Sequence, residues 1–186
     1  MDTNGPSTGA VGNFNHLRAT GGALSTPFGG TPVSLPGTIQ AEKFDDGGAT
    51  RAYADASSGN AGGQFRTTDV DIERTSDGGS GYNVGWTAAG EWLNYSVNVA
   101  TAGTYDVDVR VASPSSGGTF HLEVNGVNMS GPMSVPSTGG WQSWTTIRRS
   151  GVSLAAGPQV WRLVMDTGGT TGGVGNFNFI SVTGPR

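Results

Sequence analysis

Gly172-Gly173-Val174-Gly175-Asn176-Phe177-Asn178-Phe179-Ile180 decides how this chain is read. Behind a glycine loop, apolar and polar residues alternate with the period of a half-buried β-strand. The stretch is echoed near the other end as Val11-Gly12-Asn13-Phe14-Asn15, and the echo widens, since Met1-Asp2-Thr3 matches Met165-Asp166-Thr167 and Thr20-Gly21 matches Thr183-Gly184. One strand alone cannot bury its apolar face. Residues 1–21 are therefore expected to be the terminal-strand remnant of an upstream similar module. Residues 22–37, rich in Gly, Pro, Ser and Thr, read as a linker. The domain is expected to occupy residues 38–184.

Working outward from that last strand, the same alternation recurs. Leu93, Tyr95, Val97 and Val99 interleave with polar neighbours, as do Tyr105, Val107, Val109 and Val111, and again Phe120, Leu122 and Val124. Two further strands are expected at 143–149 and 159–165. Ala102-Gly103, the run Ser113–Gly118 and Asn125-Gly126 supply turns, the last a strong hairpin signal. Ile39–Phe44 opens the domain. Asp45 to Gly81 is dominated by Gly, Asp, Ser and Asn, and a loop-rich segment of that length points to function. Strands at this spacing, with no helical period, predict an all-β fold, a β-sandwich of jelly-roll type.

Composition narrows the function. The chain has 186 residues, 33 of them glycine, and only 13% are charged, with Lys43 the single lysine. A net charge of −4 without a basic run argues against nucleic acid as a partner. There is no cysteine, so disulfides and thiolate chemistry are excluded. No apolar run of 18 residues exists to cross a membrane as a helix. Met1-Asp2-Thr3-Asn4 does not open a signal peptide. Together with the echo, this suggests a piece of a longer secreted protein.

Catalytic sets are hard to assemble. His16 lies in the N-terminal segment, and His121 faces outward beside Glu123, so neither builds a Ser-His-Asp constellation. Asp69, Asp71 and Glu73, if extended, share one face at roughly 6–7 Å intervals, near the separation of a glycosidase carboxylate pair. A small glycoside hydrolase using Asp71 and Glu73 is one alternative reading, and a purely structural β-sandwich spacer is another. The aromatic residues say more. Trp86 and Trp141 each sit in Gly-flanked polar loops, where a ring is hard to bury. Trp92, Trp144 and Trp161 fall inside strand patterns and read as packing residues. A loop tryptophan beside amides suits a sugar, whose C–H face stacks on the ring while its hydroxyls bond the polar groups.

Ile39-Gln40-Ala41-Glu42, Asn83-Val84-Gly85-Trp86, Gly90-Glu91-Trp92-Leu93-Asn94-Tyr95, Thr138–Trp144 and Asn176-Phe177-Asn178-Phe179-Ile180 together resemble a family 6 carbohydrate-binding module, over roughly residues 38–183. The long segment through Asp69-Val70-Asp71-Ile72-Glu73 resembles modules attached to laminarinases, agarases and related polysaccharide hydrolases. The resemblance implies a non-catalytic jelly roll with a sugar cleft in its loops and a structural Ca2+. Carried over residue by residue, Trp86 and Trp141 would clamp a sugar ring and Asn176 would bond its hydroxyls. Glu73, Asp71 and Tyr82 would line the same cleft from the long segment. Gln40, Glu42 and Asn178 would hold the calcium, Asn178 standing where an aspartate is common. The implied partners are a polysaccharide, with β-1,3-glucan first and agarose or xylan next, a covalently attached hydrolase and a sister module. Asn176 and Asn178 share a strand face, so a bulge or twist, or Asn176 lying in the loop before the strand, must separate the two sites.

Overall fold

The computed structural model describes residues 25–78 and 81–186. Thirteen strands, numbered along the chain, form two sheets among them. One contains Val33–Leu35 (β1), Tyr53–Ala54 (β3), Trp92–Val99 (β6), Thr119–Val124 (β8), Val127–Asn128 (β9), Met133–Ser134 (β10) and Gly157–Thr167 (β12), in the path β1-β6-β12-β8-β10. The other contains Gly37–Gln40 (β2), Ile72–Arg74 (β4), Tyr82–Val84 (β5), Gly103–Ser113 (β7), Gly140–Leu154 (β11) and Asn176–Thr183 (β13), in the path β11-β7-β13-β5-β4. This is the expected β-sandwich.

The alternating residues fill the space between the sheets. Tyr95, Leu122, Trp161 and Leu163 from one sheet meet Tyr105, Val109, Phe177 and Ile180 from the other, all buried. Phe120 and Phe177 join the layers edge to face, with centroids 5.0 Å apart. Rings of this size carry much of a core's burial. The Asn125-Gly126 hairpin forms as expected, both residues at positive φ (50° and 80°), between Val124 and Val127.

Two expectations are corrected. Residues 25–37, read as part of a linker, belong to the sandwich: β1 pairs in parallel with β6, Val33 opposite Val97 and Leu35 opposite Val99. Val33 and Leu35 alternate just enough to cover the edge of β6, and Leu35 is fully buried. The opening strand stops at Gln40, where Ala41–Lys43 turns as a 3₁₀ helix and Tyr95 Oη bonds the Ala41 carbonyl at 3.0 Å. The long loop-rich segment holds two short strands, β3 and β4, and β4 lies at the edge of its sheet. β2 and β13 lie together, Ile39 opposite Ile180 in an antiparallel pair. The echoed residues 1–21, with His16, Asn13 and Asn15, lie outside the described residues.

Candidate functional site

At the loop end of β13, a cleft of about 180 Å³ is lined by Glu73, Trp86, Trp141 and Asn176. Four separate elements deliver these side chains. Glu73 comes from β4, Trp86 from the turn after β5, Trp141 from the start of β11 and Asn176 from the start of β13. Both indoles face solvent, Trp86 being 55% and Trp141 40% exposed. The edge of Trp141 lies against the glycine loop before β13, where a Cβ on Gly173 would sit 3.5 Å from Trp141 Cη2.

The floor is a fan of amides on one carboxylate oxygen. Glu73 Oε1 accepts from Gln142 Nε2 at 2.7 Å, Asn176 Nδ2 at 2.9 Å and Asn83 Nδ2 at 3.2 Å. Asn176 Nδ2 also donates to the Trp141 carbonyl at 2.9 Å, tying one indole's backbone to the floor. Glu73 Oε2 is outside this fan, an acceptor on a rigid mount. Gly85 keeps the wall open, since a Cβ there would lie 3.1 Å from Asn176 Oδ1 and 3.6 Å from Glu73 Oε1.

Trp86 has φ 48°, a left-handed conformation that a bulky side chain adopts only when its surroundings enforce it. The Gly85 N–H bonds the Asp71 carbonyl at 3.0 Å. Buried Thr87 donates its hydroxyl to the Gly175 carbonyl at 2.6 Å and accepts the Gly175 N–H at 3.1 Å. The Val174 N–H bonds the Thr87 carbonyl at 2.9 Å. The turn bearing Trp86 is thus stitched to the residue before Asn176.

Asp71 and Tyr82 are not in the cleft. Asp71 turns to the long loop and accepts the Ala61 N–H at 2.5 Å, and burial pushes its carboxyl above the ordinary range. Among the described residues lining the cleft, Glu73 is the one carboxylate. Tyr82 points to the opposite side of β5 from Asn83, because neighbours on a strand alternate. Its ring packs on Phe65 at 4.9 Å, with the Arg74 guanidinium 5.6 Å away. Asn83 occupies the place expected of Tyr82, opposite Glu73 in the ladder. Gln142 and Thr87 also serve the site, and Gln142 reaches Glu73 although it neighbours Trp141, in a stretch where the pairing of β11 with β7 shifts register between Gly140 and Trp144. Of the three strand tryptophans, only Trp161 is core. Trp92 and Trp144 are half-buried, Trp92 with the Arg162 guanidinium 4.0 Å from its ring centre.

A bulge does part the two asparagines, since the pairing of β13 with β7 shifts register between Phe177 and Phe179. Asn176 reaches the cleft, while Asn178 Nδ2 donates to Asp77 Oδ2 at 2.9 Å. Arg110, and then Asn178, hold the Asp77 carboxyl below its ordinary range. Gln40 pairs with Phe179, the neighbour of Asn178. Glu42 is buried, its Oε2 has no hydrogen-bond partner, and desolvation raises its pKa.

Two exposed aromatic planes beside a fixed set of amide and carboxylate groups suit a flat, hydroxyl-bearing ring. Comparison with known proteins points the same way. The sequence model of the family described as carbohydrate binding module (family 6) matches residues 64–184. Among curated proteins, the chain is similar to the clotting factor G alpha subunit of Tachypleus tridentatus, with 44% identity over 85 residues. Those residues are 45% of this chain and 13% of that protein, so the chain spans only a small part of this relative. Among solved structures, it is similar to a module of lichenase 5A from Cellvibrio mixtus in complex with cellotriose, with TM-score 0.60 and 32% identity over 81% of this chain and 98% of that one. It is also similar to a β-1,3-glucan-binding module from Bacillus halodurans, with TM-score 0.62 and 28% identity over 83% of this chain and 100% of that one.

Proposed function

Since this chain belongs to carbohydrate-binding module family 6, we propose that it recognises a polysaccharide through the Trp86–Trp141 cleft and holds an attached glycoside hydrolase on that substrate outside the cell. The observation that carries the reading is the convergence of Trp86, Trp141, Asn176 and Glu73 on one cleft. Two indoles take the apolar faces of a pyranose, and Asn176 and Glu73 Oε2 take its hydroxyls. β-1,3-Glucan is the first ligand to test, supported by the likeness to the Bacillus halodurans module. A disaccharide of about 23 heavy atoms at roughly 0.3 kcal/mol per atom gains about 7 kcal/mol, a Kd on the order of 10 μM.

Affinity electrophoresis on laminarin, agarose and xylan gels tests this directly. Retardation by laminarin is expected, with no release of reducing ends on incubation. Free migration in all three gels overturns the reading. Sustained release of reducing ends that depends on Glu73 favours a hydrolase instead.

A calcium ion is proposed at Glu42, with Gln40 and Asn178 as further oxygen donors. A buried carboxylate oxygen without a partner is costly unless a cation or donor meets it, and Glu42 Oε2 is such an atom. Asn178 turns its Nδ2 to Asp77, which leaves Oδ1 for the cation, and Gln40 adds a second amide oxygen. Oxygen ligands of this kind suit Ca2+, and an amide in place of a carboxylate weakens the site by reducing its charge. Bound there, the ion would pin β2 to β13 and oppose fraying. Chelation with EDTA is expected to lower the Tm, and Glu42→Gln to abolish that response. An unchanged Tm, with no calcium by elemental analysis, removes the site.

A further inference from the structure

Glu91, within the Gly90-Glu91-Trp92 motif, has a carboxylate that no cleft role explains. It is buried, and its two oxygens serve two different loops. Oε1 accepts the Ala56 N–H of the long loop at 3.0 Å, and Oε2 accepts the Ala88 N–H of the tryptophan turn at 2.9 Å. The Glu91 backbone is fixed in turn, since its carbonyl accepts the Met165 N–H at 2.9 Å and the Gly90 N–H bonds the Met165 carbonyl at 2.8 Å. The carboxylate is therefore a rigid two-sided bracket. On one side stands the turn that keeps Trp86 in its left-handed conformation. On the other stands a loop whose further N–H groups are also held by acids, Ser57 by Asp55, Gly59 by Asp69 and Ala61 by Asp71.

We propose that Glu91 is a positioning residue of the saccharide cleft, and that protonating it frees one of the two loops and loosens the Trp86 plane. The inference rests on the reading of the cleft as a sugar site. An ionised carboxylate offers both oxygens as acceptors, whereas a carboxylic acid spends one on its own proton. Ala56 and Ala88 then compete for the remaining acceptor, and the loser is a donor without a partner. From the long loop, Asp55 and Asp71 add negative charge next to Glu91. The turn Gly85–Gly90 carries no ionisable side chain, and β12 follows Met165 with Asp166, which is bonded to His121 at 2.8 Å. Burial first, and then the repulsion of Asp55 and Asp71, raise the Glu91 pKa against the opposing effect of its two backbone bonds.

The sign of that shift separates a positioning role from a merely structural one. A carboxyl whose folded-state pKa lies above its unfolded value binds its proton more tightly when folded. Its contribution to global stability therefore improves as pH falls through the folded pKa toward the unfolded one. Affinity moves the other way, because the bracket opens. Stability and binding are expected to diverge on mild acidification, whereas a residue that only supports the fold moves both together.

Glu91→Gln is the neutral stand-in for the protonated acid, with one acceptor oxygen and an NH2 in place of the other. In the unliganded wild-type protein, the Ala56 and Ala88 amide proton resonances are expected to titrate with one shared midpoint above the ordinary glutamate range. Both titrations vanish in Glu91→Gln. By calorimetry at neutral pH, Glu91→Gln is expected to bind laminarihexaose about tenfold more weakly, the effect of one unmatched buried donor. Its affinity stays level as pH falls from 7 to 5, while that of the wild type declines toward it without a fall in Tm. Separate midpoints for the two amides, their survival in the variant, or a parallel fall of affinity and Tm would overturn the proposal. A wild-type protein that ignores laminarihexaose and the polysaccharide gels at every pH refutes the sugar-site reading, and the amide titrations still decide whether the bracket exists.

Discussion

Trp141→Ala is expected to remove measurable saccharide binding while leaving the fold intact. At 40% exposure the indole contributes little to the core, so the melting curve should match that of the wild type. One plane of the clamp covers on the order of 100 Å² of apolar sugar and ring surface, worth about 2.5 kcal/mol. That is close to a hundredfold in Kd, enough to move a roughly 10 μM ligand toward 1 mM and out of calorimetric reach. Trp86→Ala should match it. Trp86→Gly sharpens the test, because glycine accepts φ 48° without strain. That variant loses the sugar but should melt no lower than Trp86→Ala, despite the backbone freedom glycine brings to the unfolded chain. Wild-type affinity in both the Trp86 and Trp141 variants would place the sugar elsewhere.

Glu73→Ala is expected to fail in two ways at once. Its removal strips the common acceptor from Gln142, Asn176 and Asn83, and Asn83 is fully buried. An unsatisfied buried amide costs about 1–3 kcal/mol. Asn176 keeps the Trp141 carbonyl, Gln142 keeps Asn83 Oδ1, and buried Asn83 keeps only a long 3.4 Å bond to the Val84 carbonyl, so about 3 kcal/mol in total is the expected loss. In a domain of this size that lowers Tm by roughly 6–12 °C, and the sugar is no longer bound. Glu73→Gln separates the two effects. Its carbonyl can still receive the three amides, so Tm recovers, but an NH2 replaces Oε2 and reverses the hydrogen-bond sense offered to the ligand. Calorimetry and thermal melts of the two variants side by side decide it. A Glu73→Ala protein that melts like the wild type would show that the amide fan does not hold the floor.

Much of this molecule was legible one strand at a time. Leu93-Asn94-Tyr95 and Phe177 with its neighbours declare their faces by alternation, which depends only on the residue and the one beside it. The same alternation, applied to Tyr82 and Asn83, would have put the amide rather than the phenol in the cleft, but only once the boundaries of β5 were known. Trp86 and Trp141 could be picked out because glycine and polar neighbours give a large ring nowhere to hide. Val33 and Leu35 were missed because three residues among prolines and glycines carry too little period to outweigh a linker's composition. Their place as a strand depends on the open edge of β6, which they pair with in space rather than in sequence.

The sequence by itself determined the sandwich, the exposed pair of tryptophans and the family, since these rest on local period and on motifs that survive as strings. Only the tertiary structure decided how the cleft is held. Glu73 meets Asn176 across 103 positions and Gln142 across 69, and Thr87 meets Gly175 across 88. Such bonds depend on the register of strands that are not neighbours in the chain and on the bulge at Asn178, and a one-residue slip would turn each partner to the other face. That Glu73 turns one oxygen to the floor is decided by that register, and that Glu91 joins its own turn at Ala88 to Ala56, 35 positions away, by the path of the long loop.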